Sequence, residues 1–296
     1  MATKIDIGIC TYRRATLVTT LESIARQILP PETHVRVIVA DNDQMPSSES
    51  MVRDAETALQ LDILYVHAPA KNISIARNAC LDHASAEWLA FIDDDEIADP
   101  NWLASLLAKS NQFDIVFGIS RAQYSPTAAT IFRKLDLHSA DLSKEREIKT
   151  GYSGNVLIRL NSIRAHAIRF DLQLGRAGGE DTVFFYHARI AGLTLGFAPE
   201  SIVQEPVPAQ RENWTWLMKR QFRSGQSHGY CLATLDGKPR FSIFLLAICK
   251  FVALAILAFV RMFDLDAARY SWWRAVLHLG VASFAIRPKF LTLYGN

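Results

Sequence analysis

The chain has 296 residues, half of them hydrophobic, and 32 Lys+Arg against 30 Asp+Glu leave a net charge of +2. That length can bury a large core, but a mean hydropathy of +0.08 is high for a wholly soluble protein. The charge is unevenly placed: residues 206–296 carry 12 Lys+Arg and 4 Asp+Glu, net +8, against −6 upstream.

The four cysteines, Cys10, Cys80, Cys231 and Cys249, have neither CxxC nor zinc-type spacing. The spacing suggests neither a cysteine metal site nor a disulfide framework and fits a reducing cytosolic face. The N-terminal MATKIDIGICTYRR runs straight into a strand-like pattern, so no signal peptide is expected.

Strand-like runs, rich in β-branched and aromatic residues, fall at Ile5–Thr11, Val35–Asp41, Ile63–His67, Trp88–Asp93 and Asp114–Ser120. Helical patterns at Ala15–Ile28, Ser48–Leu59 and Ile73–Ala84 separate the first four. Such alternation predicts an α/β fold with a mainly parallel sheet flanked by helices. Ligands of these sheets gather outside the carboxyl ends of the strands. The polar clusters Thr11–Arg14, Asp41–Asp43 and Asp93–Glu96 fall at those ends.

Beyond Ser120 the pattern is less regular. A polar segment, His138–Thr150, precedes a strand candidate at Asn155–Arg159, a helix candidate at Glu180–Ala191 and two short strand candidates, Thr194–Ala198 and Ser201–Glu205. From Phe241 to Val260, 18 of 20 residues are apolar, about the length of a bilayer span, although Lys250 stands at the centre. A second, shorter run, Ala275–Ile286, contains His278 and Gly280 and is flanked by Arg269, Arg274, Arg287 and Lys289. With Tyr270, Trp272 and Trp273 the pair reads as a hydrophobic hairpin on or partly in a bilayer, or as a buried helix pair.

The sequence FIDDDEIADP ends an apolar run on four acids. Carboxylates so crowded suit either open solvent or a cation. In extended backbone Asp93 and Asp95 share a face and can approach one divalent ion. Asp41 and Asn42, ending VIVADN, can accept hydrogen bonds from a base or ribose, or form an Asx turn. In KNISIARNACL, Asn72 can cap a helix, and Arg77 can meet phosphate or an acid. Gly178 and Gly179 permit a sharp turn into Glu180 and Asp181, where a carboxylate can serve as general base or as helix cap. Arg211, Lys219, Arg220 and Arg223, with Trp214 and Trp216, form a basic aromatic stretch. Diphosphate contacts to Arg220 and Arg223 are one reading, a solvated face with inward tryptophans the other. Nucleic-acid binding is discounted, because the basic residues adjoin membrane-like sequence and the candidate pocket is acidic.

Taken in order, CTYRR, VADN, NISIARN, FIDDDE, SGNVLIR, GGEDTVFFYHARI and RQFRSGQ resemble glycosyltransferase family 2 over about residues 4–230, and within it the bacterial exopolysaccharide glucosyltransferases of succinoglycan type. The resemblance implies a GT-A fold at 1–235, with a Rossmann-like nucleotide-sugar half at about 1–120 and an acceptor half at 121–235. A membrane-associating helical tail then occupies 236–296. It implies Thr11, Tyr12, Arg14, Asp41 and Asp93 as nucleotide-sugar contacts, with Asn72, Arg77 and Asn155 in the same pocket. Asp95 becomes the main ligand, with Asp93, of Mg²⁺ or Mn²⁺; Asp181 becomes the catalytic base, supported by Glu180.

The implied reaction is inverting transfer of a single hexose, glucose from UDP-glucose, to a polyprenyl-diphosphate-linked saccharide at the cytoplasmic face of a bacterial inner membrane. A polyprenyl-phosphate sugar transferase and a catalytically silent membrane-anchored scaffold are the alternatives. Two departures stand out. RQFRSGQ does not spell the QxxRW signature of processive members, so single additions are expected. Where many GT-A enzymes carry a metal-binding His the chain reads IVQEPVP, leaving Glu205 as a substitute ligand or a simple strand-end acid.

Overall fold

The computed structural model describes residues 3–291; the first two residues and the last five of the expected tail lie outside the described residues. Its chain order begins β1 (Thr3–Thr11), α1 (Leu17–Ala25), β2 (Thr33–Asp41), α2 (Glu49–Leu59), β3 (Ile63–His67), α3 (Ile73–His83) and β4 (Trp88–Ile92). These match the expected elements to within a few residues at their ends. Next come β5 (Ile97–Ala98), α4 (Trp102–Leu107), β6 (Ile115–Gln123), α5 (Thr130–Leu135), β7 (Asn155–Arg159), α6 (Leu160–Ala165), α7 (Glu180–Ile190) and β8 (Leu195–Pro206). Helices α8 (Trp214–Tyr230), α9 (Arg240–Val260) and α10 (Leu265–Ile286) complete the chain.

The strands form one sheet in the order β3-β2-β1-β4-β7-β6-β8-β5. The four strands from β3 to β4 are parallel. Antiparallel pairing of β7 with β4 and β6, and of β5 with β8, makes the rest of the sheet mixed. Alternation along the strands sends Ile5, Ile7, Ile9, Val37, Val39, Trp88, Ala90 and Ile92 to one core, with Leu17, Leu21 and Trp102 from the helices. The intervening Cys10, Ile38, Ala40, Leu89 and Phe91 join Ala76, Cys80, Phe184 and Phe185 in a second core on the opposite face. Both faces are thus covered, and that is why these strands read as near-continuous apolar runs.

Two expectations are corrected. The short strands at Thr194–Ala198 and Ser201–Glu205 are one strand, β8; Phe117 of β6 pairs with Phe197 and Ile119 with Ile202, so a bulge absorbs the Pro199–Ser201 region that reads as a break. The apolar run Ala275–Ile286 is the second half of the 22-residue helix α10, which begins under an Asp264 cap. Helices α4, α5 and α6, six residues each, are too short to show a helical period in the sequence.

The chain divides into two compact units. The first, through Gln123 with Ser139–Arg176 and Phe184–Pro206, holds the sheet. The second, Tyr124–His138, Ala177–Val183 and Val207 onward, holds α5, α8, α9, α10 and the start of α7. Its centre is the crossing of α8 with α10. A methyl group on Gly225 would lie 2.0 Å from the Leu277 carbonyl oxygen, and one on Gly280 would lie 2.0 Å from that of Phe222. Two backbones meet there with no room for a side chain. Near α5, His138 is buried, stacked on Trp216 at 5.4 Å, with Nε2 2.9 Å from the Arg211 carbonyl oxygen. Burial lowers its pKa, so the neutral ring is favoured.

Because backbone atoms cannot yield as a flexible side chain does, Gly225→Ala or Gly280→Ala should each destabilise the second unit by about 2 kcal/mol or more. Thermal unfolding of the single variants against the parent chain checks this; an unchanged midpoint would mean that the helices do not cross so closely.

Candidate active site

Strands β1 and β4 are neighbours, yet the chain leaves β1 toward β2 on one side and returns to β4 on the other, which opens a crevice at their carboxyl ends. The loops Thr11–Arg14 and Asp93–Glu96 line it. Thr11 is in register with Asp41 of β2, so the third polar cluster stands beside the first.

The four acids after β4 have four different environments. Asp93 is half exposed and lies 3.4 Å from the guanidinium of Arg77, which is buried on α3 over the Phe170 ring. Asp95 accepts a 2.6 Å hydrogen bond from Arg14. Asp94 is buried; desolvation, with Asp95 and Asp93 beside it, pushes its pKa up to about 7, although the Thr11 hydroxyl and Arg14 oppose the shift. Glu96 points into the fold, accepting from the Asp93 amide at 3.0 Å and the Ser120 hydroxyl at 2.8 Å. Burial, together with Asp93 and Glu205, holds its pKa well above the usual carboxylate range. Arg14 is itself partly desolvated, but Asp95, Asp94 and Asp93 hold it charged.

Asp41 is wholly buried, and it accepts from the Asp43 amide (3.0 Å), the Ser48 amide (2.8 Å) and the Tyr65 hydroxyl (2.8 Å). It therefore ties down the loop that starts with Asn42. Asp43 is gripped by Arg13 through bonds of 2.7 and 3.0 Å, and the Arg13 guanidinium holds its pKa at about 2. Arg13 adopts a left-handed φ of 53° in doing so. Tyr12, half-buried, lies between cations, with Arg13 5.4 Å and Lys71 5.9 Å from its ring.

Asn72 caps α3 by accepting from the Ser74 amide, donates its side-chain nitrogen to the Leu172 carbonyl, and donates its backbone N–H to the Asn42 side-chain oxygen. The loop after α6 thus fastens the helix that carries Arg77. Tyr65 and residues 171–175 are parts of this framework that the sequence did not single out, whereas Arg13, Asn42 and Asp43 fall within the polar clusters read from it.

Asn155 is corrected. It sits opposite Ile92 at the same sheet edge, but it is 0% exposed and its side chain is saturated. Its oxygen accepts from Trp102 Nε1 and the Ser201 hydroxyl, and its nitrogen donates to the carbonyls of Ile119 and Ser201. It braces the sheet and has no polar atom left for a donor. Glu205 shares the Ser120 hydroxyl with Glu96, as a strand-end acid would.

Two expected metal ligands remain, Asp93 and Asp95; among the described residues no group of three or more His, Cys, Asp or Glu side chains is arranged to hold a metal. Two carboxylate oxygens suit a hard cation that takes its other ligands from phosphate and water.

In the second unit, Gly178 and Gly179 have φ of 84° and 80°, and this left-handed pair turns the chain into α7. Glu180 is buried, and Asp181 is half-buried with one carboxylate oxygen 2.6 Å from the Thr182 amide. Arg223 of α8, expected to meet a diphosphate, is buried instead. Its Nε donates to the Ala177 carbonyl at 2.8 Å, and its guanidinium also bonds to Ser227 and covers the Phe290 ring at 4.7 Å. It holds the glycine turn from below. Arg220 lies away from that turn, over Trp216 at 5.4 Å and 3.4 Å from the His138 carbonyl.

Comparison with known proteins bears on these two groups of residues. The family model described as glycosyl transferase family 2 matches residues 6–166. The succinoglycan biosynthesis protein ExoM of Rhizobium meliloti (strain 1021) is 45% identical, over 98% of this chain and 96% of its own. A validoxylamine A glucosyltransferase of Streptomyces hygroscopicus subsp. limoneus is 33% identical over 35% of this chain and 23% of its own. Among solved structures, the mannosyltransferase PcManGT of Pyrobaculum calidifontis, in complex with GDP-Man and Mn²⁺, superposes with a TM-score of 0.66 at 17% identity, covering 98% of this chain and 88% of that one. S. aureus TarS 1-349 in complex with UDP gives 0.51 at 16% identity, over 97% and 92%. At such identities these structures speak for the fold, which is GT-A.

If Arg223 is what holds the glycine turn, Arg223→Ala should raise amide hydrogen exchange across Gly178–Thr182 while leaving Asn72–Arg77 of the first unit unchanged. Unaltered protection at Gly178–Thr182 would remove Arg223 from that role.

Proposed function

This chain belongs to glycosyltransferase family 2, and we propose that it moves a single hexose, glucose from UDP-glucose, onto a lipid-linked saccharide during exopolysaccharide synthesis. The observation that carries the reading is the crevice between β1 and β4, where carboxylates and guanidiniums alternate. Asp93 and Asp95 offer oxygens to a cation, and Arg14 and Arg77, already against those carboxylates, offer donors to phosphate. A nucleoside diphosphate needs both. The near-full-length likeness to a succinoglycan biosynthesis protein supports the exopolysaccharide assignment, and the UDP- and GDP-Man-bound fold neighbours support a nucleotide-sugar donor.

Within this reading Tyr12, Thr11 and Asp41 form the nucleoside side of the crevice, Tyr12 by contact and Asp41 by holding the loop. Asn72 keeps α3 in place and so aims Arg77. Asp181 takes the proton from the acceptor hydroxyl as that oxygen attacks the anomeric carbon. The bond to the nucleoside diphosphate breaks on the opposite face, the configuration inverts, and no covalent enzyme intermediate forms. Glu180 and Arg223 keep Asp181 oriented at the head of α7. Mg²⁺ or Mn²⁺, held by Asp93 and Asp95, would supply positive charge to the departing diphosphate. Lipid linkage of the acceptor would bring the enzyme to the cytoplasmic face of a bacterial inner membrane, where the basic, apolar C-terminal helices attach it; α9 is long and apolar enough to cross a membrane by length and composition.

Asp181→Asn should lower transfer by about 10²-fold or more while leaving nucleotide binding intact; product release over UDP-, GDP- and dTDP-sugars would identify the donor in the same assay. Should the variant turn over normally, Asp181 is not the base. Chelation is expected to abolish turnover of the parent enzyme and added Mg²⁺ or Mn²⁺ to restore it, whereas full activity after exhaustive dialysis against chelator would remove the ion from the reaction.

A further inference from the structure

Helix α9 has 21 residues, about 31 Å at 1.5 Å per residue, and arginines, Arg240 and Arg261, at both ends. Length alone would make it a bilayer span. Its neighbours in the second unit argue otherwise. It lies antiparallel on α10: Ile243 and Ala247 pack among Val281, Ala282 and Ala285, while at the other end Phe251 meets Trp272 at 6.0 Å and Arg261 meets Ser271 at 3.3 Å.

Helix α10 in turn runs along α8. Gly225 faces Leu277 and Gly280, Gly229 faces Val281 and Phe284, and Arg269 covers Trp214 at the start of α8. The first turn of α10 is also tied to α5 by the Asp266–Lys134 ion pair. The three helices form one layer along their lengths. For α9 to cross a bilayer, α8 would enter the hydrocarbon beside it with Lys219, Arg220, Gln221 and Arg223. Each charge placed at membrane depth is costly even on the most lenient scale.

The surface of α9 suits a different placement. Phe241, Leu245, Val252, Ile256 and Phe259 recur at helical spacing on one exposed stripe, and Phe263, in the turn beyond the helix end, is 97% exposed. Lys250 is exposed at the middle of the helix, off that stripe and toward the α10 side. The antiparallel register that pairs Ala247 with Val281 sets it beside His278, with exposed Arg274 one turn away. In a span Lys250 would lie at the bilayer centre. In a helix lying flat it reaches the headgroups while its stem covers apolar surface.

We propose that α9 does not cross the membrane but lies in the plane of one leaflet, its Phe241–Phe259 stripe among the acyl chains and Lys250 and Arg274 against the phosphates of anionic lipid. The net charge of +8 over residues 206–296 complements such a surface. The inference rests on the membrane association proposed above and goes beyond it, fixing how the chain is attached and that the turn between α9 and α10 stays on the side where α9 begins.

The test uses the full chain carrying Cys249→Ser and Phe263→Cys, Cys10, Cys80 and Cys231 being buried. Intact spheroplasts are treated with a membrane-impermeant maleimide before and after permeabilisation. The expected result is a membrane-bound protein labelled only after permeabilisation. Labelling from the outside of intact cells would make α9 a span and overturn the proposal. A protein that never sediments with membranes, or that pairs through α9 as a soluble dimer, would instead overturn the membrane attachment itself, with the transfer assay unaffected. On phosphatidylglycerol vesicles, Lys250→Glu should weaken binding by about tenfold while Lys250→Arg preserves it; equal binding of both variants would take Lys250 out of the phosphate contact.

Discussion

Four carboxyl groups in succession at the end of a buried strand constitute the constraint on which the first unit depends. They repel one another and resist desolvation, so they can coexist only if each is neutralised differently. Arg77 stands against Asp93 and Arg14 against Asp95, Asp94 is driven toward its protonated form by burial, and Glu96 is turned inward onto Ser120. The guanidiniums come from the loop after β1 and from α3, and the hydroxyl from β6. The acid run therefore ties together elements that are distant in sequence, and it sets carboxylates and guanidiniums side by side at the crevice.

The second unit solves a related problem with backbone. The glycines before α7 occupy a conformation that disfavours side chains, and such a turn needs an external hold to keep a single geometry. Arg223 supplies it by bonding the Ala177 carbonyl. Glycine again permits the close crossing of α8 and α10, and that crossing supports the layer on which α9 lies. Rigid support and an exposed apolar face are thus adjacent properties of one helical layer.

Charge and apolarity are distributed accordingly. The acidic excess lies upstream and the basic excess after residue 206. The small net charge of the whole conceals both.

Much of this was legible in the amino-acid order. Alternating strand and helix periods through Ile92, the polar clusters at the strand ends, the paired glycines and the 20-residue apolar run are local patterns, set by residues within a few positions of one another. What the order left undecided was the choice of partners and the extent of burial. Arg14 reaches Asp95 across 81 positions, and Arg13 reaches Asp43 across 30. Asn155 and Arg223 carry the chemistry of ligand contacts, yet packing seals both. The apolar run does not disclose its neighbours, and only the folded chain shows α10 packed on it and α8 on α10. Desolvation and ion pairing act through space, so only the tertiary structure could decide which polar groups stay accessible and which are sealed in holding the protein together.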